Sequence, residues 1–275
     1  MKYALANMLN GYGVRGLDAD AKAYIDAVVA AGATVTSTQR NAINAFIKSG
    51  KTDGWWASMK RVYLPIWAIA APNAIDIVSR TSGTFAGTVT HASGYVQGNG
   101  TTGYFDIGVT PSSLGMTTSG GSCFALVNQA DSRTDTRFFI GQSDASNRRV
   151  YLNQTGSTTV ATTLYGAPAA VTNTTSSRNG IFLGVVNATN DRYLKRRGSV
   201  GVTYTTLNTT NDTTIASTTR NAHVMANNLN GVVQSFSDAR LGVYGLGLGL
   251  SSGSGDTFTL ALKNLWETCT GLTLP

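Results

Sequence analysis

Near residue 72 the chain changes from one hydrophobic period to another. Before it, apolar residues recur every three or four positions; after it, they come in runs of five to seven residues separated by Gly, Asn and Ser clusters. A helix cannot bury the second pattern and a strand cannot bury the first, so a helical front segment and a larger β segment are both required.

In the front segment Leu17, Ala21, Tyr24, Ile25, Val28 and Val29 mark one helical face, with Asp18 placed to cap it and Gly32 to stop it. A second helix is expected after Thr36–Thr38, carrying Ile43, Phe46 and Ile47 and ending at Ser49–Gly50; a third, short one begins at Asp53 and carries Trp55, Trp56 and Met59. Three short helices of about 40 residues bury too little surface to stand alone. They are expected to pack on the larger domain or on another chain, with their aromatics as the contact.

Beyond residue 72 the runs Phe124–Asn128, Arg137–Ile140, Val150–Asn153, Ile181–Val186, Val200–Thr205 and Leu241–Leu246 read as strands, rich in the Thr and Val that suit pleated surfaces. About 200 residues of this kind predict a mainly β fold, an antiparallel jelly-roll β-sandwich with polar residues outward, preceded by a small three-helix module. The expected division is an N-terminal arm at 1–16, a helical attachment module at 17–71 and the sandwich at 72–275. Leu260–Trp266 reads as a last strand entering a helical turn. Gly245–Leu250 alternates glycine with leucine, so a neighbour can approach its glycine face closely.

Residue supply restricts the chemistry. The 275 residues include a single glutamate, Glu267, two histidines, His91 and His223, and two distant cysteines, Cys123 and Cys269, expected as buried free thiols. No Gly-x-Ser-x-Gly turn supports a hydrolytic triad. Glycoside chemistry would need two carboxyls, for which Asp131/Asp135 and Asp18/Asp20 are the pairs; Asp18 is already the helix cap, and Asp131–Asp135, with Arg133 between them, reads as a polar loop. Weak calcium candidates are Asp144, Asn147 and Asp191, because a hard cation asks for several oxygens; no other cofactor is implied. Gly98–Gly103 has the form Gly-x-Gly-x-x-Gly, but a strand-like Tyr104–Ile107 follows it, which makes it a hairpin turn. The net charge of +7 reflects scarce acids, and its dense run, Lys195–Arg197, reads as a solvated loop rather than a nucleic-acid contact. A sugar site would set an aromatic face among amides and guanidinium groups, for which Tyr104, Asn147, Arg148, Tyr151 and Tyr193 are the candidates. Met1–Asn10 lacks the pattern of a secretory signal and no segment has the length of a membrane span, so folding is expected in a cytoplasm.

Leu17–Val28, Ala42–Ile47, Lys51–Trp56 and Gly98–Phe105, with their Asp-Gly-Trp and Gly-Asn-Gly-Thr-Thr elements, resemble a family of tailed-bacteriophage virion structural proteins. In that family a small helical N-terminal module precedes a concanavalin-like or laminin-G-like β-sandwich. The resemblance implies a head decoration, fibre or tail-associated subunit that is no enzyme, folded in the host cytoplasm and carried on the virion among other virion proteins and copies of itself. Attachment would fall to Leu5, Met8 and Leu9 of the arm and to Trp55 and Trp56, and a chain lacking residues 1–56 would stay soluble. The alternative is an adhesin that binds host surface polysaccharide.

Overall fold

A computed structural model of the chain describes residues 16–144, 148–156, 159–164, 171–174, 177–188, 191–199, 201–207 and 218–275. Its helices are α1 (Ala19–Ala30), α2 (Ser37–Thr52), α3 (Ala70–Asn73) and α4 (Ser252–Thr270). The first strands are β1 (Met59–Tyr63), β2 (Thr84–Ala86), β3 (Val89–Ala92), β4 (Tyr95–Gly98) and β5 (Tyr104–Asp106). Next come β6 (Gly121–Gln129), β7 (Arg137–Ser143), β8 (Arg149–Thr155), β9 (Thr159–Leu164), β10 (Val171–Thr174) and β11 (Gly180–Ala188). Last are β12 (Asp191–Arg197), β13 (Val202–Leu207), β14 (His223–Val224), β15 (Asn227–Leu229), β16 (Val232–Gln234) and β17 (Arg240–Gly247).

The strands form two sheets. The first has the order β13-β12-β11-β6-β17-β4-β3, with β1 also paired to β17; the second has the order β10-β9-β8-β7-β14-β5-β2, with the β15–β16 hairpin attached to β7. Cys123, Ala125 and Val127 of β6, Phe182 of β11 and Leu241 of β17 face Phe139, Val150, Leu152 and Val160 of the second sheet across one core. The alternate residues Phe124, Leu126, Ile181, Leu183 and Val243 point the other way, into a second core with α1, α2 and α4. β6 is therefore buried on both faces, which is why its sequence is an unbroken apolar run.

This corrects the expected jelly roll. The first sheet is apolar on both sides, and the chain is layered as helices, sheet, sheet. β7 to β10 and β11 to β13 are successive antiparallel neighbours in simple meanders, and β15 runs parallel to β7. The composition boundary at residue 72 is no boundary in packing, because residues of the helical segment share one core with residues up to Leu274. Leu260–Trp266 lies within α4 instead of a strand. Its apolar residues Phe258, Leu262, Leu265 and Trp266 fall on one helical face, a period that shows only over a window longer than Leu260–Trp266. The helix expected at Asp53 is only a turn at Trp56–Ser58 before β1.

Local signals set the helix ends. Asp18 accepts the amide of Asp20 at 3.0 Å, Thr36 and Gln39 form a reciprocal capping box, and Ser251 caps α4 while Gly271 ends it in the left-handed region. The helical layer is fastened to the sheet by aromatic contacts: Trp55 lies 5.0 Å from Phe46 and 5.1 Å from Phe258, which meets Phe124 of β6 at 4.9 Å. A Cβ at Gly50 would fall 2.6 Å from the Trp55 ring, so that glycine is the notch that receives the indole. Gly245 admits the carbonyl of Arg61 in the same way, which lets β1 pair with β17.

The basic run is also corrected. Lys195–Arg197 belongs to β12; Lys195 is buried and its Nζ donates to the Ser252 carbonyl at 2.6 Å and pairs with Asp256 at 2.7 Å. Arg197 donates to Thr259 Oγ1 and to the Asp256 carbonyl. These cations hold α4 to the sheet.

Trp55→Ala leaves a cavity at the meeting point of both layers and is expected to lower stability by about 3–5 kcal/mol, read from urea unfolding followed by circular dichroism. Removal of residues 1–56 uncovers the outer apolar face of the first sheet, so the shortened chain is expected in the insoluble fraction on expression, and soluble monomer would contradict the layered core.

Candidate functional site

Among the described residues no helix packs on the outer face of the second sheet, and strand alternation builds a groove there. Along β8, Val150 and Leu152 point into the core between the sheets, while Arg149, Tyr151, Asn153 and Thr155 line the outside. β7 pairs with β8 so that Gly141 lies opposite Tyr151 and Ser143 opposite Arg149. β15 runs beside the end of β7, with Asn227 next to Gly141. A Cβ at Gly141 would sit 2.8 Å from both Ala226 O and Asn227 Cα, so glycine is needed for that approach.

The β15–β16 hairpin forms the lip. It turns at Asn230 and Gly231, with φ of 53° and 93°, the two positive angles that match the twist of a tight hairpin. Asn228 Oδ1 accepts the Gly231 amide at 3.0 Å, and the Asn230 amide donates to the Ser143 carbonyl at 2.8 Å, which ties the lip to β7. Leu229 and Val232 stay exposed on it.

The resulting cleft holds about 330 Å³, within the range of small-ligand sites. Its floor is neutral and polar. Ser143, Asn153 and Asn227 are buried; Ser143 Oγ donates to Asn227 Oδ1 at 3.4 Å, and Asn153 Nδ2 donates to Thr155 Oγ1 at 3.3 Å. Asn153 Oδ1 is buried without a hydrogen-bond partner among the described residues. The half-buried Tyr151 forms one wall, its ring meeting Phe138 edge to face at 5.4 Å. Asp144 is the acid that lines the groove among the described residues, and its carboxylate pairs with Arg148 Nε at 2.6 Å while accepting the Arg148 amide. Such a site offers amides and hydroxyls beside an aromatic ring, with its carboxylate already engaged.

Of the residues predicted to bind sugar, Tyr151 lines this groove and Arg148 stands behind it on Asp144. Tyr104 faces outward on β5 but stacks on His223, centroids 4.8 Å apart, and does not line the groove. Tyr193 is a correction: fully buried, it donates its hydroxyl to the Leu250 and Ser251 carbonyls at 3.0 Å and presents no ring to a ligand. Asn147 lies outside the described residues, as do Leu5, Met8 and Leu9 of the arm and the side chain of Asp191. Trp55 is likewise corrected as an attachment residue, since it is wholly buried in the chain's own core; Trp56 is half-buried against it. Among the described residues no three His, Cys, Asp or Glu converge as metal ligands. Asn153, Ser143 and Asn227 line the groove without being among the residues expected from sequence, although the alternation of Arg149, Tyr151, Asn153 and Thr155 with Val150, Leu152 and Gln154 is a visible signal for the first.

Asp131 and Asp135 do not face each other as an acid and base. Asp135 pairs with Arg137. Asp131, fully buried, accepts Arg133 Nε at 2.9 Å and Nη2 at 2.6 Å, together with the Arg133 and Asp238 amides. Burial pushes its carboxyl up, but the Arg133 guanidinium and these amides outweigh it and hold the pKa at about 2. Arg133 in turn reaches the carbonyls of Gly100 and Phe236, so one ion pair joins the turn after β4 to the segment before β17. The two histidines are apart: burial lowers both, His91 beside Asn73 and Phe85, and His223 despite Asp106 at 3.7 Å, which pulls it back up. Burial raises the Cys123 and Cys269 thiols to about 12, so both are unreactive.

No known family model matches the chain, and no curated protein sequence does. Among solved structures it is similar to a Trypanosoma rangeli sialidase in complex with sialic acid, at 11% identity and a TM-score of 0.50, and to a mutant of that sialidase displaying trans-sialidase activity, at 12% and 0.51. Each match covers 82% of this chain and 39% of the sialidase, so the chain spans about two-fifths of their length. A third match is tailspike protein 2 from Escherichia coli O157:H7 bacteriophage CAB120, at 12% identity and a TM-score of 0.44, covering 67% of this chain and 27% of the tailspike. The sialidase likeness is one of fold. It overturns the expectation of a chain that is no enzyme, because a fold carried by sialidases gives no ground for excluding catalysis.

The Asp131 pair sets a pH dependence. A carboxyl held at about 2 against an ordinary 3.8 stabilises the fold fully above pH 4 and loses that contribution as pH falls through 2, on the order of 2 kcal/mol. Asp131→Asn is therefore expected to flatten the fall of unfolding free energy between pH 4 and pH 2; an unchanged slope would remove the assignment.

Proposed function

We propose that the chain binds glycan in the groove formed by β7, β8 and the β15–β16 lip. The observation that carries this reading is the half-buried ring of Tyr151 beside the buried amides of Asn153 and Asn227 and the hydroxyl of Ser143. A pyranose has an apolar C–H face and a ring of hydroxyls, and a site for it combines an aromatic surface with neutral donors and acceptors. The buried Asn153 Oδ1, with no partner of its own, is an acceptor suited to a sugar hydroxyl. The likeness in fold to a sialidase solved with sialic acid agrees with this reading.

The resemblance of the first 105 residues supports carriage of this module on a tailed-bacteriophage virion, beside other virion proteins and copies of itself. Mass spectrometry and antibody labelling of purified particles test that location, and absence from particles would remove it.

Glycan-array screening followed by calorimetry tests the groove. Tyr151→Ala and Asn153→Ala are each expected to weaken binding at least tenfold, about 1.4 kcal/mol, with the circular dichroism spectrum unchanged. Equal binding by both variants, or no glycan bound by the wild type, would overturn the proposal. Reducing-end release from any bound glycan, measured in the same samples, reads whether binding is accompanied by hydrolysis.

A further inference from the structure

The helical layer carries a second concavity, remote in chemistry from the polar groove. Between α2 and α4 lies a channel of about 300 Å³ in which Ala42, Ala45, Phe46, Leu260, Ala261 and Leu265 form an apolar strip flanked by hydroxyl, amide and carboxylate side chains. The alanines make it: small side chains on both helices leave room that larger ones would fill. Nothing in the described chain covers it, and Leu260 is 45% exposed on its edge.

The described chain begins against α2, the helix that forms one wall of this channel, but on its other flank. Lys48 Nζ donates to the Gly16 carbonyl at 3.2 Å, and the Asp18 amide donates to Asn44 Oδ1 at 2.8 Å, so residue 16 is fastened to the flank of α2 itself. The preceding fifteen residues contain Leu5, Met8 and Leu9, with Gly11 and Gly13 between them and Gly16. Extended, fifteen residues reach about 50 Å, whereas a helix with its side chains is only about 10–12 Å across. Residues 10–15 alone, at about 20 Å, can pass around α2. Lys2 precedes the apolar group and Asp53 lies at one end of the channel, so the ends also match in charge.

We propose that the channel between α2 and α4 is the seat of the segment Leu5–Leu9 of the same chain. Apolar burial on the strip of Ala42, Ala45, Leu260 and Ala261 would drive the docking.

The test uses the full chain. Hydrogen exchange is compared between wild type and the double variant Met8→Asp/Leu9→Asp, which leaves every described residue intact. Amides in 42–53 and 257–268 are expected to exchange about tenfold faster or more in the variant, with the sheets unchanged. In parallel, Met8→Cys is combined with Ala45→Cys or with Leu260→Cys, one pair per protein; the native thiols are buried and stay reduced. Mild oxidation is expected to give an intrachain disulfide in at least one pair, visible as a monomer of altered mobility and confirmed by peptide mapping. Support requires both results. Unchanged exchange at the two helices overturns the proposal, as does the absence of an intrachain bond in both pairs. A disulfide-linked dimer alone also overturns it, and would place the arm of a second copy in the channel.

Discussion

The structure depends on one indole. Trp55 occupies the notch that Gly50 leaves in α2, and from there it touches Phe46 behind it and Phe258 of α4, which passes the contact on to Phe124 in the sheet. A glycine inside a helix costs about 1 kcal/mol relative to alanine. Here that cost is outweighed by burying a tryptophan where two helices and a strand converge. This contact joins the helical layer to the outer face of the first sheet, alongside the other apolar residues of α1, α2 and α4 in the same core.

The site follows from the same layering. Since the helices cover the first sheet, the second keeps an outer surface, and alternation along β8 populates it with Arg149, Tyr151, Asn153 and Thr155. The floor is placed by strand pairing rather than by loops: Ser143, Asn153 and Asn227 come from three adjacent strands, and the lip is held by a main-chain bond from Asn230 to Ser143. Side chains set on paired strands are better fixed than side chains on connections, which suits a groove that must present amides at defined spacing.

Much of this was legible in the sequence, and the failures share a cause. The capped helices at Asp18 and Thr36, the short strands and the close approach to Gly245 followed from local signals of spacing and conformation. What failed depended on a partner distant in the chain. Leu260–Trp266 has an apolar content that fits strand or helix over seven residues, and only the length of α4 decides between them. Lys195 and Arg197 read as solvated because the carbonyls and the Asp256 carboxylate that receive them lie some sixty residues away. Tyr193 has a polar neighbour, Arg192, in the sequence, yet strand alternation turns it into the core. Tyr151 lines the groove from β8, whereas Ser143 joins it through the antiparallel pairing of β7 with β8 and Asn227 through the parallel pairing of β15 with β7, which no local pattern encodes.

The sharing of one core by α1, α2 and α4 also has a temporal side. On the ribosome the first two helices emerge long before residues 252–270, and until then they have neither the last helix nor the finished sheet to lie on. The nascent chain must therefore carry an uncovered apolar surface until residues 252–270 have been made, and α4 is the clasp that shuts the helical layer over the sheet.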